Sequence, residues 1–212
     1  MSYIAERRQE ERDRRRSEIV DAAESLYAEV GWDAVTMDQV ARRARLSRAL
    51  VYVYFHDKAD LHFALVERSL ETLRGRFDAA RKNRASGIAE VEAIGRAYLD
   101  FARELPHYFD ACARFQAHAS GDGKLPPNEM ACVVAGHSVH EVMIGSLNRG
   151  IADGSIRADL GDPHVTALTL WAFSHGMIQI AAFKAGQMEH EGIPVDVFVE
   201  HAFALALRSL RP

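Results

Sequence analysis

Basic side chains are concentrated between Thr36 and Lys58, in the stretch TMDQVARRARLSRALVYVYFHDK. The stretch has five basic and two acidic residues, hence a charge of five minus two, or +3: Arg42, Arg43, Arg45, Arg48 and Lys58 against Asp38 and Asp57. The chain as a whole carries a net charge of −4. A positive patch on an acidic protein confines attraction for phosphate groups to one face, and a guanidinium also pairs bidentately with a guanine edge. The chemistry that this stretch indicates is therefore recognition of nucleic acid.

Two short helices joined by a tight turn are predicted to position these side chains. Thr36 and Gln39 form a T-x-x-Q capping box, in which the threonine hydroxyl accepts from an unpaired helix amide and the glutamine returns the bond. Ser47 is the N-cap candidate of the second helix. Apolar residues fall on one side of each helix: Met37, Val40, Ala41 and Ala44 in the first, Val51, Tyr54 and Phe55 in the second. These are the proportions of a helix-turn-helix, whose second helix enters a DNA major groove.

Helices are also predicted on either side of this motif. One runs from about Arg14 to Val30 and ends at Gly31, after residues 1–13, which are predicted to form a flexible arm. The helix after the motif begins at Asp57, an N-cap candidate, and has Lys58 in its first turn. Because a cation there opposes the helix macrodipole, we expect Lys58 to meet an external phosphate; an ordinary exposed lysine is the alternative.

The rest of the chain is predicted to be helical throughout. The helical segments are about 58–82, 88–104, 106–119, 127–152, 163–185 and 195–210. They are separated by turn-forming Gly, Pro, Asp and Ser residues. No segment with alternating polar and apolar residues demands a strand. We therefore predict an all-α protein of about nine helices.

Two features bear on the compartment. Val165–Phe183 is a run of 19 residues without a formal charge, close to the minimum for a membrane-spanning helix. Its middle carries side chains that are costly in lipid: Ser174, His175 and Gln179, next to Gly176. A buried helix of a soluble bundle is the better interpretation. The charged N-terminus has no signal-peptide pattern, so Cys112 and Cys132 are predicted to be reduced, buried thiols of a cytoplasmic protein.

The sequence from Glu18 to Leu61, EIVDAAESLYAEVGWDAVTMDQVARRARLSRALVYVYFHDKADL, resembles the TetR (tetracycline-repressor-like) family of transcriptional regulators. The resemblance covers the first helix, a Gly-aromatic turn, the helix-turn-helix and an ending of the type Leu/Val-Tyr-x-Tyr/His-Phe-x-x-Lys. The stretch from Gly150 to Gly176, GIADGSIRADLGDPHVTALTLWAFSHG, also resembles a recurring segment of the family's regulatory domain. The resemblance implies a DNA-binding domain over residues 14–60 and a ligand-binding and dimerisation domain over residues 61–212.

The resemblance also implies which residues contact DNA. Thr36 and Lys58 would bind phosphate, Ser47, Arg48 and Ala49 would face the groove, and Tyr52 and Tyr54 would contact phosphate or base edges. Arg48 and Tyr52 are four residues apart and share a helical face, as these roles require. Because a guanidinium pairs bidentately with guanine, Arg48 is the predicted direct reader of sequence.

The sequence departs from the family's pattern at three positions. Arg45 stands in the turn where glycine is usual, and a left-handed conformation there costs any other residue free energy. A phosphate contact by Arg45 is a candidate to offset that cost. Ala49 and Leu50 replace the commoner Gly and Thr or Ser, which changes the surface that faces the groove. The operator sequence therefore does not follow by analogy.

Two helices of the C-terminal domain are predicted to form a homodimer. Helix 195–210 is apolar almost all round, which requires burial on two sides. With helix 163–185 it would build a four-helix interface with the same pair in a second subunit. Two-fold symmetry would then place two recognition helices about one DNA turn apart, roughly 34–36 Å, on a pseudo-palindromic operator.

Soft apolar and histidine side chains of this domain are candidates for a hydrophobic ligand pocket. They are Tyr98, Phe101, Phe109, Phe115, His118, Met130, His137, Met143, Trp171 and His175. Ordinary core is the simpler interpretation of each apolar residue taken singly. His137, His140 and Glu141 have a spacing at which two of them could face a metal, but solvated histidines are the favoured interpretation. No metal or cofactor is predicted.

These features together predict a dimeric DNA-binding repressor that a small hydrophobic ligand releases from its operator. The alternative is an activator or architectural protein whose C-terminal domain only dimerises or binds a protein partner. A helical enzyme is a remote alternative, because the chain has no P-loop, GxGxxG, GxSxG or HExxH motif and its Cys and His positions suggest no catalytic triad.

Overall fold

A computed structural model describes residues 3–115 and 125–212. Over these two ranges the chain forms ten α-helices and one short 3₁₀ helix, with no strand. The α-helices are α1 Tyr3–Val30, α2 Met37–Arg43, α3 Arg48–Tyr54, α4 Lys58–Arg81, α5 Gly87–Glu104, α6 Pro106–Arg114, α7 Pro127–Asp153, α8 Pro163–Phe183, α9 Ala185–His190 and α10 Val195–Leu210. The 3₁₀ helix is Trp32–Ala34. The all-α prediction is confirmed.

The helix bounds differ from the predicted ones mainly at three places. α1 begins at Tyr3, so most of the predicted arm is helical and exposed. There the acidic residues pair with arginines at helical spacing: Glu11 contacts Arg14 and Arg15, and Arg15 also contacts Glu18. The sequence analysis predicted a flexible arm because it did not consider these ion pairs at i, i+3 and i, i+4 spacing, which stabilise a helix.

The other two differences concern the ends of α6 and α8. α8 ends at Phe183, and the short helix α9 follows it as an extra element that makes ten helices in the described ranges. α6 is described to its end at Arg114, whereas the prediction extended it to residue 119. The predicted segment past Phe115 lies outside the described residues.

The chain divides into two compact units. The first unit consists of Met1–Leu70 and Leu105–Ala135, and the second unit consists of Glu71–Glu104 and Gly136–Pro212. The prediction placed a single boundary after residue 60 and assigned α6 to the C-terminal domain. In the grouping by contacts, α6 lies in the first unit, where the Tyr27 hydroxyl of α1 donates to Asp110 at 2.7 Å and Ala111 is fully buried. This pairing joins residues 83 positions apart, so no local pattern could reveal it.

The first unit encloses the core on which the two short helices depend. Helices as short as α2 and α3 are not stable alone and must pack on a partner. Met37, Val40 and Ala41 of α2 are buried, and Val51 and Phe55 are fully buried. They join a cluster with residues of α1 and α4, among them Ile19, Ala23, Leu61 and Leu65. The apolar side predicted for each short helix is confirmed, apart from Ala44 and Tyr54, which are only partly buried.

The second unit is organised around an apolar cluster and a buried polar cluster. Val91, Ile144, Leu147, Ile156 and Leu210 form the apolar cluster. The Glu90 carboxylate is buried; it accepts from the Ser146 hydroxyl at 2.8 Å and pairs with Arg149. Because a buried carboxylate without partners is costly, these contacts are needed to hold α5 against α7. Gly87 permits the close approach, since a β-carbon there would collide with the backbone of Gly150.

α8 is mostly exposed in the single chain, which corrects the prediction of a buried helix. Only Ala167, Met177 and Ile178 are buried among its 21 residues. By length and composition alone, two described helices could cross a membrane, α7 and α8. An exposed apolar surface of this kind marks a site of interaction.

Candidate nucleic-acid interface and ligand pocket

The capping box at the start of α2 is confirmed in full. The Gln39 amide donates to Thr36 Oγ1 at 3.3 Å, and the Thr36 amide donates to Gln39 Oε1 at 2.8 Å. The Thr36 hydroxyl also donates to Gln39 Oε1 at 2.8 Å. Thr36 is exposed, so this end of α2 presents the threonine side chain to solvent. An exposed helix N-terminus of this kind favours a phosphate.

The turn between α2 and α3 has the left-handed residue that the sequence predicts. Arg45 has φ +57°, and the next amide, that of Leu46, donates back to Ala41 O at 2.9 Å. Only Arg45 and Asn83 have positive φ among the non-glycine residues of the described ranges. The exposed Arg45 side chain therefore occupies a position where the backbone itself favours glycine.

We expect Arg45→Gly to raise the free energy of unfolding by about 0.5–1 kcal/mol, because the relief of left-handed strain exceeds the entropy that glycine adds to the unfolded chain. Urea denaturation measures the change. The matched control is Arg42→Gly, which lies inside α2 and should lower the free energy of unfolding by about 1 kcal/mol. Equal losses in both variants would contradict the conformational argument.

α3 presents a short exposed surface beside the turn. Ser47 is its N-cap and accepts from the Leu50 amide at 3.2 Å, as predicted. Ser47, Arg48, Ala49 and Tyr52 are exposed, whereas Tyr54 is partly buried against the core. With Thr36 and Arg45, six of the eight predicted contact residues are exposed, whereas Tyr54 and Lys58 are partly buried.

Arg48 is the side chain of this surface with the most defined surroundings. Its Nε lies 3.1 Å from Asp38 Oδ1 and its Nη1 donates to Asp38 Oδ2 at 3.3 Å. The guanidinium carbon stands 5.5 Å from the centre of the Tyr52 ring. Hydrogen bonding to Tyr52, and then the charge of Asp38, raise the pKa of the Arg48 guanidinium. Arg48 is therefore charged and oriented, with part of its donor set still turned to solvent.

Sequence reasoning missed two residues of this surface. Asp38 was counted only as an offset to the positive charge, because its pairing with Arg48 needs the turn to bring two helices together. Val53 is 70% exposed on α3, and an apolar side chain on a helix that enters the major groove can contact a thymine methyl group. The signal for Val53 was its position, one residue after Tyr52 and two after the buried Val51.

Lys58, at the start of α4, lies against the turn that follows α1. Its Nζ donates to Asp33 O at 3.2 Å and stands 5.1 Å from the centre of the Trp32 ring. Asp57 caps the same helix by accepting from the Asp60 amide at 2.8 Å, which lowers the pKa of the Asp57 carboxyl. The carbonyl and the ring are partners within the protein that sequence reasoning did not anticipate. An ammonium has three donors, so one bond to Asp33 leaves capacity for a phosphate.

The same turn is tied to α6 within the first unit. Arg114 pairs with the Asp33 carboxylate at 3.0 Å and with Asp110 at 2.9 Å. Behind these pairs the His62 ring packs 4.8 Å from the centre of Trp32, and its Nε2 is buried with no hydrogen-bond partner in the described ranges. Burial lowers the pKa of His62 to about 4. The imidazole is therefore neutral at physiological pH.

The second unit contains a small cavity that holds part of the predicted pocket. The cavity, of about 40 Å³, is lined by apolar side chains that include Tyr98, Met143 and Trp171. The Tyr98 hydroxyl lies 2.7 Å from His175 Nδ1, and Trp171 packs against both His140 and His175. Burial lowers the pKa values of both His140 and His175. A volume of 40 Å³ accommodates about one water molecule.

The other predicted pocket residues are not brought to this cavity. Phe101 is fully buried beside Tyr98, and the exposed His137 pairs with Glu141 at 3.4 Å. Three more belong to the first unit: Phe109, Phe115 and Met130. His118 lies outside the described residues. In residues 3–115 and 125–212, no group of three or more His, Cys, Asp or Glu side chains is arranged to hold a metal ion.

A larger groove of about 520 Å³ lies elsewhere in the second unit, along α5, α8 and α10. Its lining is largely aliphatic, with charged side chains at Arg103, Asp196 and Glu200. Ligand pockets commonly have volumes of about 300–1,000 Å³, so this groove has the size of a small-molecule site. None of the predicted pocket residues lines it, because aliphatic residues of amphipathic helices carry no sequence signal for a pocket.

Two family models match most of the chain. The model described as bacterial regulatory proteins, tetR family, matches residues 19–65. The model described as tetracyclin repressor-like, C-terminal domain, matches residues 91–206, which is more than half of the chain. The chain belongs to the TetR family. This TetR-family assignment confirms the resemblance that rested on the helix-turn-helix and on the Gly150–Gly176 segment.

Relatives of this TetR-family chain include regulators of different kinds. The HTH-type transcriptional activator FasR from Mycolicibacterium smegmatis is 29% identical over 42% of this chain, and the match spans only 41% of FasR. A protein with unknown function from Rhodococcus sp. RHA1 has a solved structure with TM-score 0.73 and 27% identity, over 93% of this chain and 96% of that one. The structure of FadR from Bacillus subtilis in complex with stearoyl-CoA has TM-score 0.69 at 14% identity, over 92% and 99% of the two chains. The last likeness concerns the fold alone.

Proposed function

We propose that this protein is a dimeric DNA-binding transcriptional regulator of the TetR family, most simply a repressor that a small hydrophobic ligand releases from a pseudo-palindromic operator. The observation that carries the proposal is the capped helix-turn-helix, whose exposed side combines an oriented arginine with a helix N-terminus suited to phosphate. A DNA-binding role also implies a cytoplasmic location. The family and the relative FasR support a regulator rather than an enzyme.

The proposed DNA contacts are of two kinds: contacts to phosphates, which position the protein on the duplex, and contacts to bases, which recognise the sequence. Thr36, Arg45 and Lys58 would bind phosphates, because each is exposed or half-exposed and offers a hydroxyl or a cation. Arg48 would read a guanine, and Ser47, Ala49 and Tyr52 would line the groove around it. Tyr54 would contribute at most its hydroxyl, since its ring packs against the core.

The dimer would form through the exposed apolar surfaces of α8 and α10. Large apolar side chains on these two helices remain exposed in the single chain: Val165, Leu168, Trp171, Phe173, Ile180, Phe183, Val197 and Leu205. An apolar surface of this extent on a soluble chain marks an interaction site. Pairing with a second copy would cover it and, by two-fold symmetry, would present two α3 helices roughly 34–36 Å apart.

The ligand would bind in the second unit. The aliphatic groove along α5, α8 and α10 has a suitable volume, and the small cavity at Tyr98 and Trp171 would have to widen to admit more than a water molecule. FadR from Bacillus subtilis, which has this fold, was solved with stearoyl-CoA, a ligand with a long apolar chain. A hydrophobic effector is therefore the class that we propose.

The alternative proposal is an activator or architectural protein whose second unit only dimerises or binds a protein, and the relative FasR is named an activator. A thermal-shift screen with fatty acids, acyl-CoA esters and aromatic compounds separates the two. A pocket that binds ligand raises Tm in proportion to the logarithm of ligand concentration. No shift with any compound at millimolar concentration would favour the alternative.

Selection of bound fragments from the source genome tests the DNA-binding proposal, followed by affinity measurements on the selected operator. We expect Arg48→Ala to weaken operator binding about 5- to 150-fold, the loss of one bidentate base contact, with little change for random DNA. Lys58→Ala should weaken binding to both DNAs and reduce the salt slope by about one. Failure of the wild-type protein to enrich any fragment would contradict the proposed function.

A further inference from the structure

Asp38 is an acidic side chain placed on the surface proposed to meet DNA. It occupies the second position of α2, is 51% exposed, and contacts Arg48 at the first position of α3 through both carboxylate oxygens. A carboxylate near phosphates opposes DNA binding, so its presence there requires an explanation. A carboxylate in the first turn of α2 offsets the helix macrodipole, and an exposed ion pair adds little more to folding stability; neither effect requires Asp38 to contact Arg48.

The neighbouring Arg43 shows how an arginine with a purely structural pairing differs. Its Nη atoms bind both carboxylate oxygens of Glu29 at 2.7 Å, and Nη1 also donates to Ser25. These partners lie on α1, so the Arg43 contacts join α2 to the helix behind it. The Asp38–Arg48 pair instead joins the starts of the two helices of the motif, on their exposed side, and engages the groove-facing arginine itself.

The pair uses only part of the donor set of Arg48. A guanidinium has five N–H groups; one on Nη1 donates to Asp38 Oδ2 at 3.3 Å, and Nε lies 3.1 Å from Asp38 Oδ1 as an ion-pair contact. The second N–H group of Nη1 and the two of Nη2 make no hydrogen bond with Asp38. Two parallel N–H groups from this end of the guanidinium can bind the O6 and N7 acceptors of guanine. The guanidinium carbon also stands 5.5 Å from the centre of the Tyr52 ring, which is a second contact that restricts the side chain.

We propose that Asp38 is a specificity-determining residue, which orients Arg48 for a guanine and disfavours its use on phosphates. The inference rests on the proposed DNA-binding function. Orientation before binding reduces the ordering cost of the base contact, as in other preorganised sites. The carboxylate also repels a phosphate that approaches the same guanidinium, so contacts out of register become weaker. Asp38 thus raises the ratio of operator binding to random binding, while it lowers binding to DNA in general.

The test compares Asp38→Asn with Glu29→Gln, which also removes one negative charge beside an arginine of the same motif. Each full-length variant, Arg48→Ala and the double variant Asp38→Asn/Arg48→Ala select duplexes from a random-sequence pool. Dissociation constants are then measured for the selected site and for random duplex. Thermal unfolding establishes that every variant is folded.

Asp38→Asn should bind random duplex more tightly than the wild-type protein does. Its preference for the selected site, given by the dissociation constant for random duplex divided by that for the selected site, should fall about tenfold. Its selected motif should weaken at the same base pair that Arg48→Ala loses, and adding it to Arg48→Ala should change the motif no further. Glu29→Gln should leave the motif unchanged.

A folded Asp38→Asn with the wild-type motif and ratio would overturn the inference, as would loss at a base pair different from that of Arg48→Ala. If the wild-type protein selects no motif, the proposed function fails, which is a separate outcome.

Discussion

Ile180→Glu is expected to convert the protein from a dimer to a monomer and to weaken operator binding by more than about a hundredfold. Ile180 lies on α8 and is 48% exposed, although the helix is apolar almost throughout. In the proposed dimer it would be buried against a second copy, where a carboxylate would lack both water and a partner. A dimer that binds two half-sites at once has an affinity about 10²–10⁴ times that of a monomer bound to one half-site. Loss of the dimer therefore has a large effect on DNA binding.

Sedimentation measures the oligomeric state, and fluorescence anisotropy measures binding to the operator duplex. Val134→Glu is the matched control, because Val134 is 58% exposed on α7 and lies in the first unit. It introduces the same charge at a similar exposure outside the proposed interface. A dimeric Ile180→Glu protein with normal operator affinity would refute the proposed interface. A monomeric Val134→Glu protein would instead indicate a dimer interface that includes α7.

The second large effect concerns pH. The free energy of unfolding should fall by about 3 kcal/mol between pH 6.5 and pH 4 through His62 alone. Burial, and then the charge of Arg114, hold the pKa of His62 near 4 in the folded protein, against 6.5 for the free side chain; Asp110 acts in the opposite direction and Lys58 in the same one. Above pH 6.5 both states are neutral and His62 contributes no penalty. As the pH falls through this window, only the unfolded state gains the proton, so unfolding becomes easier.

Urea denaturation of the wild-type protein and of His62→Phe, at pH 7.5, 5.5 and 4.5, measures this contribution. Phenylalanine retains an aromatic ring next to Trp32 and removes the buried Nε2 that has no partner in the described ranges. The difference between the two proteins should therefore grow as the pH falls, in favour of His62→Phe. Carboxylates elsewhere titrate in both proteins and cancel in this difference. A difference independent of pH would show that His62 titrates normally in the folded state.

Much of the helix-turn-helix was predictable because its determinants are local. The capping box needs Thr36 and Gln39 three residues apart, and Ser47 caps α3 through an amide three residues later. Arg45 has positive φ because the short turn requires it whatever the side chain. Apolar residues at helical spacing predicted the buried sides of α2 and α3 for the same reason. The resemblance to the TetR family also rested largely on this stretch, and the two family models confirm it.

The predicted ligand pocket shows where pattern reasoning ends. Tyr98, Met143 and Trp171 do line one cavity, but that cavity is small, and Phe109, Phe115 and Met130 belong to the first unit. A soft apolar side chain packs into an ordinary core as readily as into a pocket. Composition therefore indicated which types of residue could line a pocket, but not which of these residues lie together around one cavity. The aliphatic groove along α5, α8 and α10 has no such distinctive composition and was not predicted.

The sequence by itself determined an all-α chain of the TetR family with a capped helix-turn-helix, because hydrophobic period, caps and turn residues act over a few positions. Only the tertiary structure decided which distant side chains meet. It assigned α6 to the first unit, tied Lys58 to Asp33 and Trp32, and left the apolar surface of α8 exposed. It also placed Asp38 on Arg48, ten residues along the chain, through a turn whose geometry sets the direction of both side chains. Such pairings depend on how helices pack, and no local pattern specifies them.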